Sequence, residues 1–186
     1  MRAQIYIQMR RLNEYEIPFY GLKEGVHHFE YKIEKQFFDD FNYHEFLNNN
    51  LVVKLEFVKK TTLLELYFNV NGTVEVLCDI TNEPFNESVK GKLDLVVKFG
   101  EEFKDEGDEI VIIPYGQHQF NVAQYIYEMI VLAVPVKKTH PGIKEGTLKS
   151  DILDKLEELK PKEKNNLDKI DPRWEDLKKL ITDKKD

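Results

Sequence analysis

The middle of the chain alternates between apolar and polar residues with a period of two, which is typical of β-strands with one buried face. Four such stretches are predicted, at 51–57, 64–70, 74–80 and 93–99. Their apolar residues share one face of each strand and are Leu51, Val53, Leu55, Phe57, Leu64, Leu66, Phe68, Val70, Val74, Val76, Cys78, Ile80, Leu93, Leu95, Val97 and Phe99. Asn71-Gly72 favours a tight two-residue turn and predicts a hairpin between the second and third stretches. The pattern therefore predicts an antiparallel meander.

Shorter elements are predicted on both sides of the meander. Residues 14–19 and 27–33 flank a turn at 21–25 and predict another hairpin, with Phe29, Tyr31 and Ile33 facing inward. A short helical turn is predicted at 42–46 and a loop at 48–50. An acidic loop at 101–109 precedes a short apolar strand at 110–113.

One helix is predicted from about residue 122 until Pro135, which cannot continue a helix. Asn121 is its expected cap, with Gln124 reaching back as in a capping box, and Phe120 and Tyr125 have the spacing of a hydrophobic staple. The helix is apolar nearly all round, so we expect it to lie largely buried against the sheet.

After Gly142 the composition becomes more polar. A short amphipathic helix is predicted at 150–160, a polar linker at 160–166, and a last helix that begins at Asp171-Pro172. We therefore expect a β-rich core domain with a packed helix at 1–148 and a C-terminal helical extension at 149–186. The predicted fold class is α+β: a curved antiparallel sheet or barrel-like meander, one buried helix and the extension.

Charge is distributed unevenly along the chain. The net charge is −7, but residues 137–186 hold 14 Lys and Arg against 12 Asp and Glu, a net charge of +2, which leaves −9 for residues 1–136. An acidic body repels phosphate backbones, so RNA contact would have to come from local basic patches, the tail or a partner protein. No apolar run is long enough for a membrane span, and no signal peptide is recognisable at the N-terminus.

The single cysteine, Cys78, falls on the buried face of its strand and is expected to fill space there. The acidic residues around it, Glu75, Asp79 and Glu83, are expected to raise the pKa of its thiol, which argues against a nucleophile. A metal knuckle would need a second cysteine where Thr81 stands, and the five histidines are scattered. We expect no catalytic residues, no metal and no cofactor.

Two residues resist a purely structural interpretation. Glu128 lies in the middle of the apolar helix, where it either faces water or accepts hydrogen bonds from buried groups. Trp174 is the only tryptophan and lies in a charged tail, where its helix could dock on the body of the protein or on a partner.

Three segments, CDITNEPF, NVAQYIYEMIVLAVPVKKTHPG and DPRWEDLKKL, occur in an order and at separations that resemble the YceD-like family, the large ribosomal RNA subunit accumulation proteins. The resemblance covers roughly residues 70–182. Many members of that family carry Cys-x-x-Cys where this chain has CDIT. Because Thr81 replaces the second cysteine, the chain resembles a cysteine-poor branch, in which Cys78 is a strand residue and no ligand. The family-motif residues with an expected structural role are Cys78, Pro84, Phe85, Glu128, Pro135, Asp171 and Pro172.

The resemblance implies a bacterial, cytoplasmic, non-catalytic factor that promotes accumulation or maturation of large-subunit (23S) ribosomal RNA. Its expected partner is precursor rRNA, a basic ribosomal protein, or both, without a membrane or a small-molecule substrate. The candidate residues for binding RNA or a partner are Lys137, Lys138, His140, Arg173, Trp174, Lys178 and Lys179. Two alternatives stay open: an acidic adaptor or chaperone for a basic protein without RNA contact, and an enzyme or small-molecule carrier, which would need a polar constellation in a deep pocket.

Overall fold

The structure, a computed structural model, describes residues 12–105, 107, 109–148 and 150–160. The chain divides into two compact units, Met1–Leu148 and Lys149–Asp186. The fold is mixed α+β, and the described residues form four α-helices and eight strands. In chain order these are β1 (Glu16–Ile17), β2 (Gly25–Ile33), α1 (Lys35–Asp40), β3 (Asn48–Lys59), β4 (Leu63–Leu77), β5 (Pro84–Gly100), β6 (Lys104–Asp105), β7 (Ile110–Pro114), β8 (Phe120–Asn121), α2 (Ala123–Ala133), α3 (Pro141–Glu145) and α4 (Asp151–Leu159).

Six strands form one sheet in the order β2-β3-β4-β5-β7-β6. Strands β2 to β5 are the predicted antiparallel meander. The sheet is open, with β2 and β6 at its edges, so the barrel-like alternative is wrong. The sheet is also not wholly antiparallel, since β7 runs parallel to β5. After β5 the chain reverses direction and forms β6, which is not adjacent to β5. The next strand, β7, lies between β5 and β6, parallel to β5 and antiparallel to β6.

The predicted hairpin at Asn71-Gly72 is wrong, because β4 continues through both residues. Gly72 lies within the sheet, opposite Leu51 on β3 and Val89 on β5, with a φ of +151°. The hydrophobic pattern itself contradicts a two-residue turn. Such a turn pairs its flanking residues on one face, which would turn positions 73, 75 and 77 inward. The apolar residues instead stay on the even positions before and after the glycine, as they do in one uninterrupted strand.

The inner face of the sheet forms the core that the alternation predicted. From Leu51 to Phe57 and from Leu64 to Val76, every residue predicted to face inward is buried. Ile80, Leu93 and Phe99 are partly buried and pack against this core. Helix α2 adds Ile126, Met129 and Ile130 to the core, while Leu132 on its outer side is 84% exposed. The helix is therefore buried on one face, which is less than its composition suggests.

The first strand does not form the predicted hairpin with residues 27–33. Strand β1 pairs with β8, immediately before α2, and β2 pairs with β3. The residues predicted to face inward on β2 do so, with Ile33 buried and Phe29 and Tyr31 half-buried.

The predictions for residues 42–50 are also wrong. The helix lies earlier, at α1, and residues 48–50 begin β3. Its position follows from aromatic packing, because Phe38 is 1% exposed and its ring lies edge-on to Phe37 and Phe46, with centroids 5.4 and 4.8 Å away.

The start of α2 agrees with one half of its predicted cap. Phe120 and Tyr125 stack with ring centroids 5.6 Å apart, as the staple predicts. Asn121 Oδ1 accepts a hydrogen bond from the Ala123 N–H at 2.9 Å. Gln124 donates to Glu128 Oε1 at 2.6 Å, so the capping box does not form.

In the second unit, α4 agrees with the helix predicted at 150–160, and Ser150 precedes its first turn. The predicted linker and the helix from Asp171 lie outside the described residues.

Candidate functional site

The two motif segments that the structure describes meet at the end of β4, in a group that we call the Cys78 corner: Cys78, Thr81, Phe85, Lys138 and His140. A tight turn closes this end of the strand, because the Asn82 N–H donates to the Cys78 carbonyl and the Cys78 N–H donates to the Glu83 carbonyl, both at 2.9 Å. The residues after Cys78 therefore turn back at once into β5, which places Phe85 beside the same corner.

The segment around Lys138 is fixed against this turn by paired hydrogen bonds. The Asp79 N–H donates to the Lys138 carbonyl at 2.9 Å, and the Lys138 N–H donates to Asp79 Oδ2 at 2.7 Å. The Lys138 ammonium group pairs with Glu45 Oε2 at 2.5 Å, and the lysine side chain is 18% exposed. This lysine is therefore used inside the fold, and its hydrogen bond lowers the pKa of the Glu45 carboxyl below its ordinary value.

The Cys78 side chain is buried, as predicted, at 2% exposure. Burial raises the pKa of its thiol, but the Thr81 hydroxyl and the backbone N–H groups of His140, Thr81 and Ile80 near the sulfur outweigh it. Of these donors, the His140 N–H forms a hydrogen bond to the sulfur, whereas the buried Thr81 Oγ1 has no hydrogen-bond partner among the described residues. The pKa is lowered overall, so the predicted rise from acidic neighbours is wrong. Those neighbours matter less than the donors because the chain folds its own N–H groups around the sulfur; the one from His140 lies 3.4 Å away.

His140 also makes internal contacts. Its Nδ1 accepts a hydrogen bond from the Gly142 N–H at 3.0 Å and caps helix α3, and its ring lies edge-on to Phe85 with centroids 5.5 Å apart. A Cβ atom on Gly142 would lie 3.0 Å from Nδ1, so the glycine permits this close approach. The corner is thus a structural joint between β4, β5 and the segment after α2.

The other predicted site residues lie apart from this joint. Lys137 is exposed, Pro84 begins β5 at the surface, and Pro135 follows the end of α2. Glu128 is exposed and accepts the hydrogen bond from Gln124, so the water-facing alternative is correct. The predicted residues from the C-terminal segment, Asp171, Pro172, Arg173, Trp174, Lys178 and Lys179, lie outside the described residues.

The sequence reasoning missed a basic surface on the outer face of the sheet. Four exposed lysines lie there in two neighbouring rows, and we call them the lysine strip: Lys32, Lys54, Lys90 and Lys92. In one row Lys54 lies opposite Asn69, which lies opposite Lys92; in the other Asn71 lies opposite Lys90. Each lysine alternates along its strand with buried or half-buried residues, so all four point to the outer face. Because β4 pairs with both β3 and β5, its register decides which lysines of those two strands lie near each other.

Two carboxylates, Glu56 and Asp94, lie in the row of residues that borders the row of Lys54 and Lys92. Glu56 pairs with Tyr67 across the strands, and Tyr67 pairs with Asp94. The Tyr67 hydroxyl donates to Glu65 Oε2 at 3.2 Å while the residue remains 41% exposed. Tyr67 thus lies in the row of Glu56 and Asp94, next to the strip. It lines a depression of about 610 Å³ together with Lys54, Lys92, Glu30, Glu56 and Asp94.

Within the described part of the chain, no group of three or more His, Cys, Asp or Glu residues is placed to hold a metal ion. Nor does any helix there have the length and apolar character needed to cross a membrane.

Comparison with known proteins assigns this α+β chain to a family. The family described as "Large ribosomal RNA subunit accumulation protein YceD" matches residues 66–181, and the chain belongs to it. The match runs from β4 through the Cys78 corner and α2 and on to position 181, which confirms the resemblance seen in the sequence. No curated protein and no solved structure matches the chain significantly.

Proposed function

We propose that this protein promotes the accumulation and maturation of large-subunit (23S) rRNA in the cytoplasm, as a binding factor without catalytic activity. Its partner would be precursor rRNA or an early ribosomal protein. The observation that carries the proposal is membership of the YceD family over residues 66–181.

Binding without catalysis is supported by the Cys78 corner, where reactive groups are committed to the fold. A nucleophilic thiol needs access to its substrate and a base beside it. The Cys78 thiol is 2% exposed, and His140 Nδ1 is occupied by the Gly142 N–H. These side chains hold two segments of chain together, which is a structural role.

Contact with RNA is supported by the lysine strip, which offers positive charge on a body whose overall charge is negative. A basic protein partner is supported by an adjoining groove, which shares Lys32 with the strip and is lined by Glu14, Glu30 and Glu34. Tyr31 lies in the same groove, and burial together with the Glu14 charge raises the pKa of Tyr31 to about 12. Ribosomal proteins are basic, so this acidic groove favours the adaptor as the second candidate.

The proposal is tested by gradient sedimentation of the tagged protein from growing cells, combined with sequencing of crosslinked RNA. We expect the protein to sediment with precursors of the large subunit and to enrich their rRNA. A protein that stays at the top of the gradient, without rRNA, and whose deletion leaves the ratio of large- to small-subunit rRNA unchanged would overturn the proposal.

A further inference from the structure

We propose that the lysine strip binds the sugar–phosphate backbone of single-stranded RNA and that Tyr67 stacks on one of its bases. This inference rests on the proposed function and deepens it, because it assigns the RNA contact to the described core domain in addition to the C-terminal residues inferred from the sequence.

The spacing of the lysines follows from sheet geometry. Neighbouring strands lie about 4.8 Å apart, so Lys54 and Lys92, with β4 between them, are separated by about 10 Å between Cα atoms. Lys90 and Lys92 lie two residues apart on β5, which is about 7 Å. The strip therefore crosses the whole meander from Lys32 on β2 to Lys90 on β5, and an extended strand of RNA could follow it over several nucleotides.

The charges of the strip are available to a ligand. Among the described residues, none of its four ammonium groups forms an ion pair. Glu30 lies opposite Lys54 on the neighbouring strand and is the one carboxylate in these two rows. A phosphate backbone would meet a local excess of positive charge, and flexible lysines suit phosphates because they act as point charges on long stems.

The uncharged residues between the lysines favour RNA over an acidic protein. Asn69 and Asn71 lie between lysines in the two rows, and their amides can both donate to and accept from base edges. Tyr67 supplies a ring whose hydroxyl is held by Glu65, so it presents a fixed face for stacking. The carboxylates of Glu56 and Asp94 would repel phosphates and confine the backbone to the strip.

The loss of RNA affinity expected on removing lysines from the strip follows from counterion release. For single strands, log K falls with log salt with a slope of about −0.7 for each phosphate neutralised. Loss of Lys90 and Lys92 therefore lowers the magnitude of the slope by about 1.4 and weakens binding about 25-fold near 0.1 M salt. Stacking does not release counterions, so Tyr67→Leu weakens binding about tenfold without changing the slope.

The test measures fluorescence anisotropy of a labelled oligouridylate of about 16 nucleotides with the full chain at several salt concentrations. The Lys90→Ala/Lys92→Ala variant is compared with Lys23→Ala/Lys144→Ala, which removes the same charge from exposed positions outside strands β2 to β5. We expect the first variant to lose affinity and slope as above and the second to retain both. Equal behaviour of the two variants, or no binding by the wild-type protein, overturns the inference.

The same variants in cells separate this inference from the proposed function. If Lys90→Ala/Lys92→Ala crosslinks to large-subunit rRNA as well as the wild type does, the strip is not the binding site and the proposed function stands. If the wild type crosslinks no rRNA but co-purifies with a basic ribosomal protein, the RNA contact is wrong and a protein-mediated function replaces it. If deletion of the protein leaves rRNA levels unchanged, the function itself fails.

Discussion

Replacing Gly72 with alanine tests the continuity of β4, on which the register of the whole sheet depends. A Cβ atom at this position would lie 2.1 Å from the backbone oxygen of Asn50 and 2.9 Å from the Cα atom of Leu51. Both atoms belong to β3, so neither can move without disturbing the ladder between β3 and β4. The glycine φ of +151° is also unfavourable for alanine.

Two contributions determine how much stability the Gly72→Ala variant loses. The backbone strain of a residue with a side chain at such a φ is about 1–3 kcal/mol, and overpacking in a well-packed region is about another 1–3 kcal/mol. We therefore expect Gly72→Ala to lower the free energy of unfolding by about 2–6 kcal/mol, a large part of the 5–15 kcal/mol that is typical of native proteins.

The assay is urea denaturation followed by circular dichroism. Gly21→Ala is the matched control, since nothing lies within 4 Å of its added Cβ, and we expect a change within about 0.5 kcal/mol. A loss below about 1 kcal/mol for Gly72→Ala would refute the close approach of β3 and β4.

Asn71→Thr distinguishes the continuous strand from the hairpin. Asn71 is exposed on β4 and has a negative φ, so a β-branched residue fits there and stability stays within about 1 kcal/mol. In a two-residue hairpin this position needs positive φ, and threonine would be clearly destabilising.

Three further predictions concern the core and the Cys78 corner. Phe38→Ala should lower the free energy of unfolding by about 3–5 kcal/mol, because the ring is 1% exposed; a loss below about 1 kcal/mol in urea denaturation would contradict this packing. The Lys138 hydrogen bond lowers the pKa of Glu45, so the pair stabilises the fold above about pH 4.5 and this contribution disappears as the pH falls through the folded-state pKa. Glu45→Gln should therefore lose at most about 1 kcal/mol at neutral pH and lose less stability than the wild type on acidification, as measured by urea midpoints; equal acid sensitivity would contradict the pairing. Thr81→Val should raise the pKa of the Cys78 thiol by removing the hydroxyl dipole beside the sulfur, as followed by thiolate absorbance. Because Thr81 Oγ1 has no hydrogen-bond partner in the described part of the chain, stability should change by less than about 1 kcal/mol; an unchanged thiol pKa would contradict a part for the hydroxyl in lowering it.

Strand positions could be predicted from the sequence because alternation reports burial directly. Leu51 to Phe57 and Leu64 to Val70 are buried as the period of two requires. Turn chemistry was the weaker signal at Asn71-Gly72, where the same dipeptide fits a turn and a crowded strand. The apolar residues keep to even positions on both sides of the dipeptide, and this pattern is the stronger signal because it reports burial along the whole strand.

Long-range pairing could not be predicted from local pattern. The partner of β1 is β8, more than 100 residues away in sequence, and β7 pairs in parallel with β5 although the connection between them contains only the two-residue strand β6. Helix α1 is stabilised by ring contacts with residues such as Phe46 that follow it, so tertiary packing outweighs its short length.

In the candidate site, too, local pattern predicts some features, whereas others depend on contacts between distant segments. Burial of Cys78 followed from strand parity, but the N–H that donates to its sulfur belongs to His140, some 60 residues later. The direction of the shift in the thiol pKa therefore could not be predicted from the residues next to Cys78 alone. The lysine strip is invisible in the net charge of −7 because its members come from three strands. Local charge on a folded surface depends on the register of its strands, and the hairpin predicted at Asn71-Gly72 gives β4 the wrong register.

The most direct test of the central claim is sequencing of RNA crosslinked to the tagged wild-type protein in gradient fractions of growing cells. The account predicts enrichment of large-subunit rRNA precursors in the fractions that contain the protein, with crosslinks that include residues of the outer sheet face. Absence of rRNA from those fractions, with the protein at the top of the gradient, would contradict it.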